Sequence, residues 1–177
     1  KKFNNLIKNK YFINNLIKNV IAIYNNIKKG KTNSVILNYD EKSDNLIKWY
    51  QQLIAESLGK NGKGIFPIIS SMPKDNHSLL QLYLDGPKNN FYTFFSVREK
   101  NSQKLNNGKL LERFSILKNK NIYNILQSQK IATENIFRKK NIPFRSFEII
   151  NRNEETLGEI FCFFILETIL LAHMLKV

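Results

Sequence analysis

Residues 34–69 read SVILNYDEKSDNLIKWYQQLIAESLGKNGKGIFPII, and their reading decides the fold. Ser34-Val-Ile-Leu-Asn-Tyr39 is a short apolar run rich in β-formers, as a strand buried on both faces requires. Ser43 or Asp44 can cap the helix that follows. That helix runs to Gly59, its apolar stripe made by Leu46, Ile47, Tyr50, Leu53, Ile54 and Ser57. Gly64-Ile-Phe-Pro-Ile-Ile69 is a second strand, which Pro67 pushes toward a sheet edge or a strand end. Strand, helix, strand in this order predicts parallel pairing through a crossover helix.

The pattern continues outward in both directions. Upstream, Leu6, Ile7, Phe12, Ile13, Leu16, Ile17, Val20, Ile21, Tyr24 and Ile27 recur at helical spacing until Gly30. Downstream, a short helix is expected from Ser78 to Leu84, a third strand over Phe91–Val97 and a polar loop over 99–109. A helix from Tyr123 to Lys139 follows, with Ile125, Leu126, Ala132, Ile136 and Phe137 expected inward. Pro143–Ile150 reads as a fourth strand. Glu154 and Glu155 favour the start of a last helix through its dipole. From Leu157 to Leu175 that helix is apolar nearly all round, yet it contains Glu159, Glu167 and His173. A core or interface helix is expected rather than a membrane span, which usually needs about twenty apolar residues. Glu167 within it must find a partner or line a cavity. The fold class is therefore α/β: a mostly parallel sheet between helices, with residues 1–30 as a helical lead-in to one domain over 31–177.

The 177 residues suffice for a sizeable core, and 42% hydrophobic content with thirteen Phe argues for a packed globule. The formal charge of +14 would ordinarily suggest nucleic acid. The lysines, however, are scattered from Lys1 to Lys176 among Asn and Ile, the residues of A/T-rich codons. No basic-aromatic platform forms, so a nucleic-acid partner is not expected, nor is a membrane. The one cysteine, Cys162, excludes an internal disulfide and fits a reducing cytosol. His77 and His173 stand too far apart for metal-ligand spacing. The chain starts Lys-Lys-Phe without Met, as a segment of something longer would.

Two polar islands carry candidate chemistry. Gln52 and Glu56 lie four apart on one face of the helix from Asp44. An ordinary solvated Glu is the plain alternative. His77, expected at a helix N-terminus, could trade protons as a neutral imidazole, or simply sit in a turn. Ser70 and Ser71, just after a strand, could cradle a phosphate, although a turn explains them as well.

Trp49-Tyr-Gln-Gln-Leu-Ile-Ala-Glu-Ser-Leu-Gly-Lys60 resembles the glucose-6-phosphate isomerase helix that carries Gln-x-x-x-Glu-Ser-x-Gly-Lys. Asp75-Asn-His-Ser-Leu-Leu-Gln-Leu-Tyr-Leu-Asp-Gly-Pro87 is similar to its Gln-His-Ser segment, with Asn76 in place of Gln. Leu157-Gly-Glu-Ile-Phe-Cys-Phe-Phe164 resembles the opening of its long apolar helix. The likeness runs from about Leu37 onward, in order. It implies a three-layer sugar-isomerase (SIS-type) domain acting in glycolysis and gluconeogenesis on glucose 6-phosphate and fructose 6-phosphate, without cofactor or metal. It further implies Glu56 as the base that moves a proton between C1 and C2 through a cis-enediol. Gln52 would lie in the substrate pocket. His77 would help open the pyranose ring at the neighbouring subunit's site, which makes a homodimer; Gly59 and Lys60 would shape the helix end. The family's phosphate-gripping Ser/Thr loop and its Arg have no counterpart in residues 1–48, and Lys176 does not match its C-terminal lysine. The chain thus reads as an incomplete part of a two-domain enzyme, the alternative being a non-catalytic sugar-phosphate-binding module.

Overall fold

The computed structural model describes residues 2–98, 102–105, 114, 117 and 120–177. Two helices open the chain, α1 (Lys2–Lys8) and α2 (Lys10–Lys28). The single early helix expected from periodicity is interrupted because Asn9 caps α2, its side chain accepting from the Tyr11 and Phe12 N–H groups. Then come β1 (Asn33–Asn38), α3 (Asp44–Leu58), β2 (Phe66–Ser71), α4 (Leu80–Asp85) and β3 (Asn90–Val97). The last three are α5 (Ile122–Lys139), β4 (Phe144–Ile149) and α6 (Glu154–Leu175). Most of the polar loop expected over 99–109 lies outside the described residues.

All strand pairings are parallel, in the order β2-β1-β3-β4. Strand β2 carries Pro67 on the edge, where its missing N–H breaks no ladder. Side chains alternate across the sheet. Ile36 and Phe95 face one core with Leu16, Val20, Ile47, Tyr50, Phe164 and Leu171 from α2, α3 and α6. Val35, Leu37, Tyr92 and Phe94 face a second core with Tyr83 of α4 and Phe137 of α5. The three-layer α/β expectation holds.

Two inward faces differ from expectation. On α3 it is Leu58 rather than Ser57 that completes the fully buried stripe. On α5, Ala132 and Ile136 are exposed, and Lys130, Thr133, Glu134 and Phe137 are buried. Adjacent Ile136 and Phe137 point about 100° apart and cannot both face inward. The inward polar row is satisfied: Lys130 Nζ lies 3.2 Å from Glu134, which also accepts from Ser146 Oγ at 2.8 Å.

Helix α6 is long and apolar enough to cross a membrane by length and composition alone. Here one side of it packs into the first core, and there Glu167 finds its partner. Arg145 of β4 makes a two-pronged ion pair with Glu167, the second contact from Nη2 at 3.1 Å. Tyr50 of α3 donates to Glu167 at 2.7 Å and accepts from Arg145 at 3.0 Å. Arg145 also donates to Thr93 of β3 at 3.0 Å and to Asn19 of α2 at 3.3 Å. Burial works to lower the Arg145 pKa, but Glu167 and Tyr50 outweigh it and hold the guanidinium above its ordinary value. Burial, then the Glu167 charge, raises the Tyr50 phenol.

A buried charge stripped of its partner costs about 3–5 kcal/mol, whereas replacing both partners by apolar groups costs far less. Glu167→Leu is therefore expected to lower stability by about that amount in urea unfolding, and Glu167→Leu with Arg145→Met to recover most of it. Equal losses in the single and double variants would contradict the pairing.

Candidate functional site

The C-terminal half of α3 presents Gln52 and Glu56 to solvent, one helical turn apart. The Gln52 amide donates to Glu56 Oε1 at 2.9 Å. One carboxylate oxygen is thereby held in orientation and Oε2 left for other partners. The helix stops where Gly59 donates to Ala55 at 3.1 Å, and the following loop folds back tightly. At Gly64, with φ of +129°, an added Cβ would sit 2.8 Å from the Leu58 carbonyl oxygen. Lys63 then reaches the end of α6, donating to the Leu175 and Lys176 carbonyls at 3.1 and 3.2 Å. Cations near a helix C-terminus are favoured by its dipole.

These elements enclose a cleft of about 1290 Å³ at the edge of the sheet where the strands begin. Gln52 lines it together with Lys28, Lys48, Lys63 and Lys176, a positive rim suited to an anion. Glu56 is not among its lining residues.

His77 lies elsewhere. It ends a 3-10 turn (Lys74–Asn76) that follows β2, at the edge where the strands finish. Strand β1, six residues long, separates the two edges by about 20 Å. The structure thus unites Gln52 with Glu56 and does not bring His77 to them within one chain. His77 also does not open a helix as expected, because Leu79 precedes the short α4. The Ser70–Ser71 donors are already used: Asp75 Oδ2 accepts from Ser70 Oγ at 2.9 Å and from the Ser71 N–H at 2.7 Å. A carboxylate from the same turn occupies the place proposed for phosphate. Ser43, expected as a capping side chain, hydrogen-bonds Asp40 instead, and Asp44 accepts from Asn38 at 2.7 Å.

Arg145, which sequence reasoning passed over, is the residue on which α2, α3, β3 and α6 converge. Its signal was available: a cation between Phe144 and Phe147 in a strand and an unexplained Glu167 in an apolar helix call for each other. Among the described residues no group of three or more His, Cys, Asp or Glu side chains gathers to hold a metal.

No protein-family model matches the chain. A probable glucose-6-phosphate isomerase of Methanococcus maripaludis is 37% identical over 141 residues, 79% of this chain and 31% of that protein. The glucose-6-phosphate isomerase of Methanocaldococcus jannaschii is 38% identical over 137 residues, 74% of this chain and 32% of that protein. Among solved structures, a hypothetical protein of Thermus thermophilus superposes with a TM-score of 0.79 at 21% identity, over 89% of this chain and 39% of that one. A glucose-6-phosphate isomerase of Chlamydia trachomatis superposes with a TM-score of 0.59 at 14% identity, over 81% of this chain and 30% of that one. At that identity and coverage the chain is homologous to glucose-6-phosphate isomerases over most of its own length. It spans about a third of the length of the curated relatives it matches.

The loop geometry is testable. Gly64→Ala forces a left-handed backbone and a clash with Leu58, and should cost about 1–3 kcal/mol, read as a lower thermal midpoint. An unchanged midpoint would mean that the loop is not held against the end of α3.

Proposed function

We propose that this chain, homologous to glucose-6-phosphate isomerases over most of its length, is the SIS-type part of an aldose–ketose isomerase that interconverts glucose 6-phosphate and fructose 6-phosphate. The observation that carries the reading is the Gln52–Glu56 hydrogen bond, set in a segment that aligns with isomerases. In this reading Glu56 takes the proton from C2 of the open-chain glucose 6-phosphate, leaving a cis-enediolate with its charge on O1. The hydroxyl proton passes from O2 to O1, and the same carboxylate returns its proton to C1 as O2 becomes the carbonyl oxygen of fructose 6-phosphate. A carboxylate suits the task because it accepts and releases a proton on one face of a planar intermediate. Gln52 steadies the base and faces the cleft. The lysine rim favours the phosphate's charge.

His77, about 20 Å away along the sheet, serves ring opening in a second subunit of a homodimer. Such an exchange reconciles its distance with a shared role. The parts of the enzyme beyond the matched third complete the grip on the phosphate. The setting is a reducing cytosol, in keeping with the unpaired Cys162 thiol. A second reading, a non-catalytic phosphosugar-binding module, is favoured by one observation: Glu56 stays outside the cleft that Gln52 lines.

Glu56→Gln in the natural-length polypeptide is the test. A positioned general base contributes about 10²–10⁴ in rate, so turnover of fructose 6-phosphate in a coupled assay should fall by that factor. The unfolding midpoint should not move, because Glu56 is exposed. Undiminished turnover removes Glu56 as the base. Phosphosugar binding without turnover in the unsubstituted protein selects the binding module.

A further inference from the structure

The His77 imidazole is exposed and, among the described residues, makes no hydrogen bond. The place of such a side chain is set by the backbone from which it projects. Within the turn the bonds are short-range. The Asn76 N–H donates to the Pro73 carbonyl at 3.0 Å, and the His77 N–H to the Lys74 carbonyl at 3.3 Å. They shape the turn without tying it to the sheet. Asn76 adds no tie through its side-chain oxygen, which is buried without a hydrogen-bond partner among the described residues. Asp75 does tie it. Its Oδ2 accepts from Ser70 Oγ, wholly buried on β2, at 2.9 Å and from the Ser71 N–H at 2.7 Å. Among the described residues these are the only side-chain hydrogen bonds that join residues 73–78 to the strand. The Ser71 N–H belongs to the open edge of the sheet: β2 pairs with β1, and on that side the Met72 N–H donates to the Asn38 carbonyl at 2.8 Å. An edge N–H of this kind is otherwise left to water. Hydrogen bonds to a carboxylate are also stronger than those between neutral groups.

We propose that Asp75 is a positioning residue for ring opening. By clamping the turn to the end of β2, it fixes the backbone from which His77 reaches the sugar. This role rests on the ring-opening part given to His77 under the proposed function. In that step on fructose 6-phosphate the C2–O5 bond breaks. The proton of the C2 hydroxyl ends on O5 as the C2 carbonyl forms, and His77 carries it between the two oxygens. Asp75 touches neither oxygen and acts through His77 alone. Placement is what the clamp supplies, since a displacement of about 1 Å at a reacting group can cost about a hundredfold in rate. The proton transfer between C1 and C2 happens after the ring is open, so it does not depend on the clamp.

Two substrates given to the natural-length polypeptide separate these steps. Fructose 6-phosphate must open its furanose ring, whereas 5-deoxyfructose 6-phosphate lacks O5 and has no such ring. Asp75→Ala should lower turnover of fructose 6-phosphate in a coupled assay by about tenfold to a hundredfold. Exchange of the C1 protons of the 5-deoxy compound in deuterated water should stay unchanged. Asp75→Asn, which keeps an acceptor oxygen, should recover most of the loss. His77→Gln should show the same selective loss as Asp75→Ala. Misfolding would lower both readouts together, so the contrast between the substrates isolates the placement of His77. Equal losses on the two substrates in Asp75→Ala, or no loss on either, would overturn the inference. A selective loss in His77→Gln alone would also overturn it, while leaving the ring-opening role of His77 in place. Unimpaired fructose 6-phosphate turnover in His77→Gln would remove that role, and the part given to Asp75 with it.

Discussion

A single buried ion pair, Arg145 with Glu167, sets the arrangement of one whole helical layer. Neither charge can be left unpaired away from water, so α6 has one acceptable rotation over the sheet. In that rotation Phe163, Phe164 and Leu171 meet the strands, and Tyr50 of α3 closes the network from the side. Thr93 and Asn19 take the remaining Arg145 donors, tying β3 and α2 to the same point. The pair also decides what faces outward, because an apolar helix locked on one side must expose apolar surface on the other.

The parallel sheet has two edges with different contents. At the strand starts lie the end of α3, the Gly59–Gly64 loop and the lysine-rimmed cleft. At the strand ends lie His77 and the Asp75-braced turn. Sugar isomerisation needs a base at C1–C2 and a group at the ring oxygen within a few ångströms of each other. A single copy separates the two candidates by the length of a strand, about 20 Å. The isomerase reading proposed above therefore needs a second subunit to bring His77 to the Gln52–Glu56 pair.

Much of the fold was legible in advance. Apolar runs such as Ser34–Tyr39 and Phe91–Val97 announced buried parallel strands, and Pro67 announced the edge. The Gln52–Glu56 spacing placed both side chains on one helical face, and the Trp49–Lys60 stretch pointed to the family. Other features were not legible because they depend on long-range partners. The order β2-β1-β3-β4 follows from which strands meet, not from any one segment. The inward turn of Glu134 depends on Ser146, and the loss of Ser70 and Ser71 as anion donors depends on Asp75. Asn9 could have been read as a cap within the first helical run, but the periodicity flowing across it concealed the break.

The proposed reaction moves a proton between adjacent sugar carbons. The most direct measurement follows fructose 6-phosphate by NMR in deuterated water with the natural-length polypeptide. Deuterium appearing at C1 of fructose 6-phosphate and at C2 of glucose 6-phosphate is the predicted result, since an enediol held by a solvent-reachable carboxylate exchanges its proton. Phosphosugar bound at saturation with both positions remaining fully protonated would contradict it.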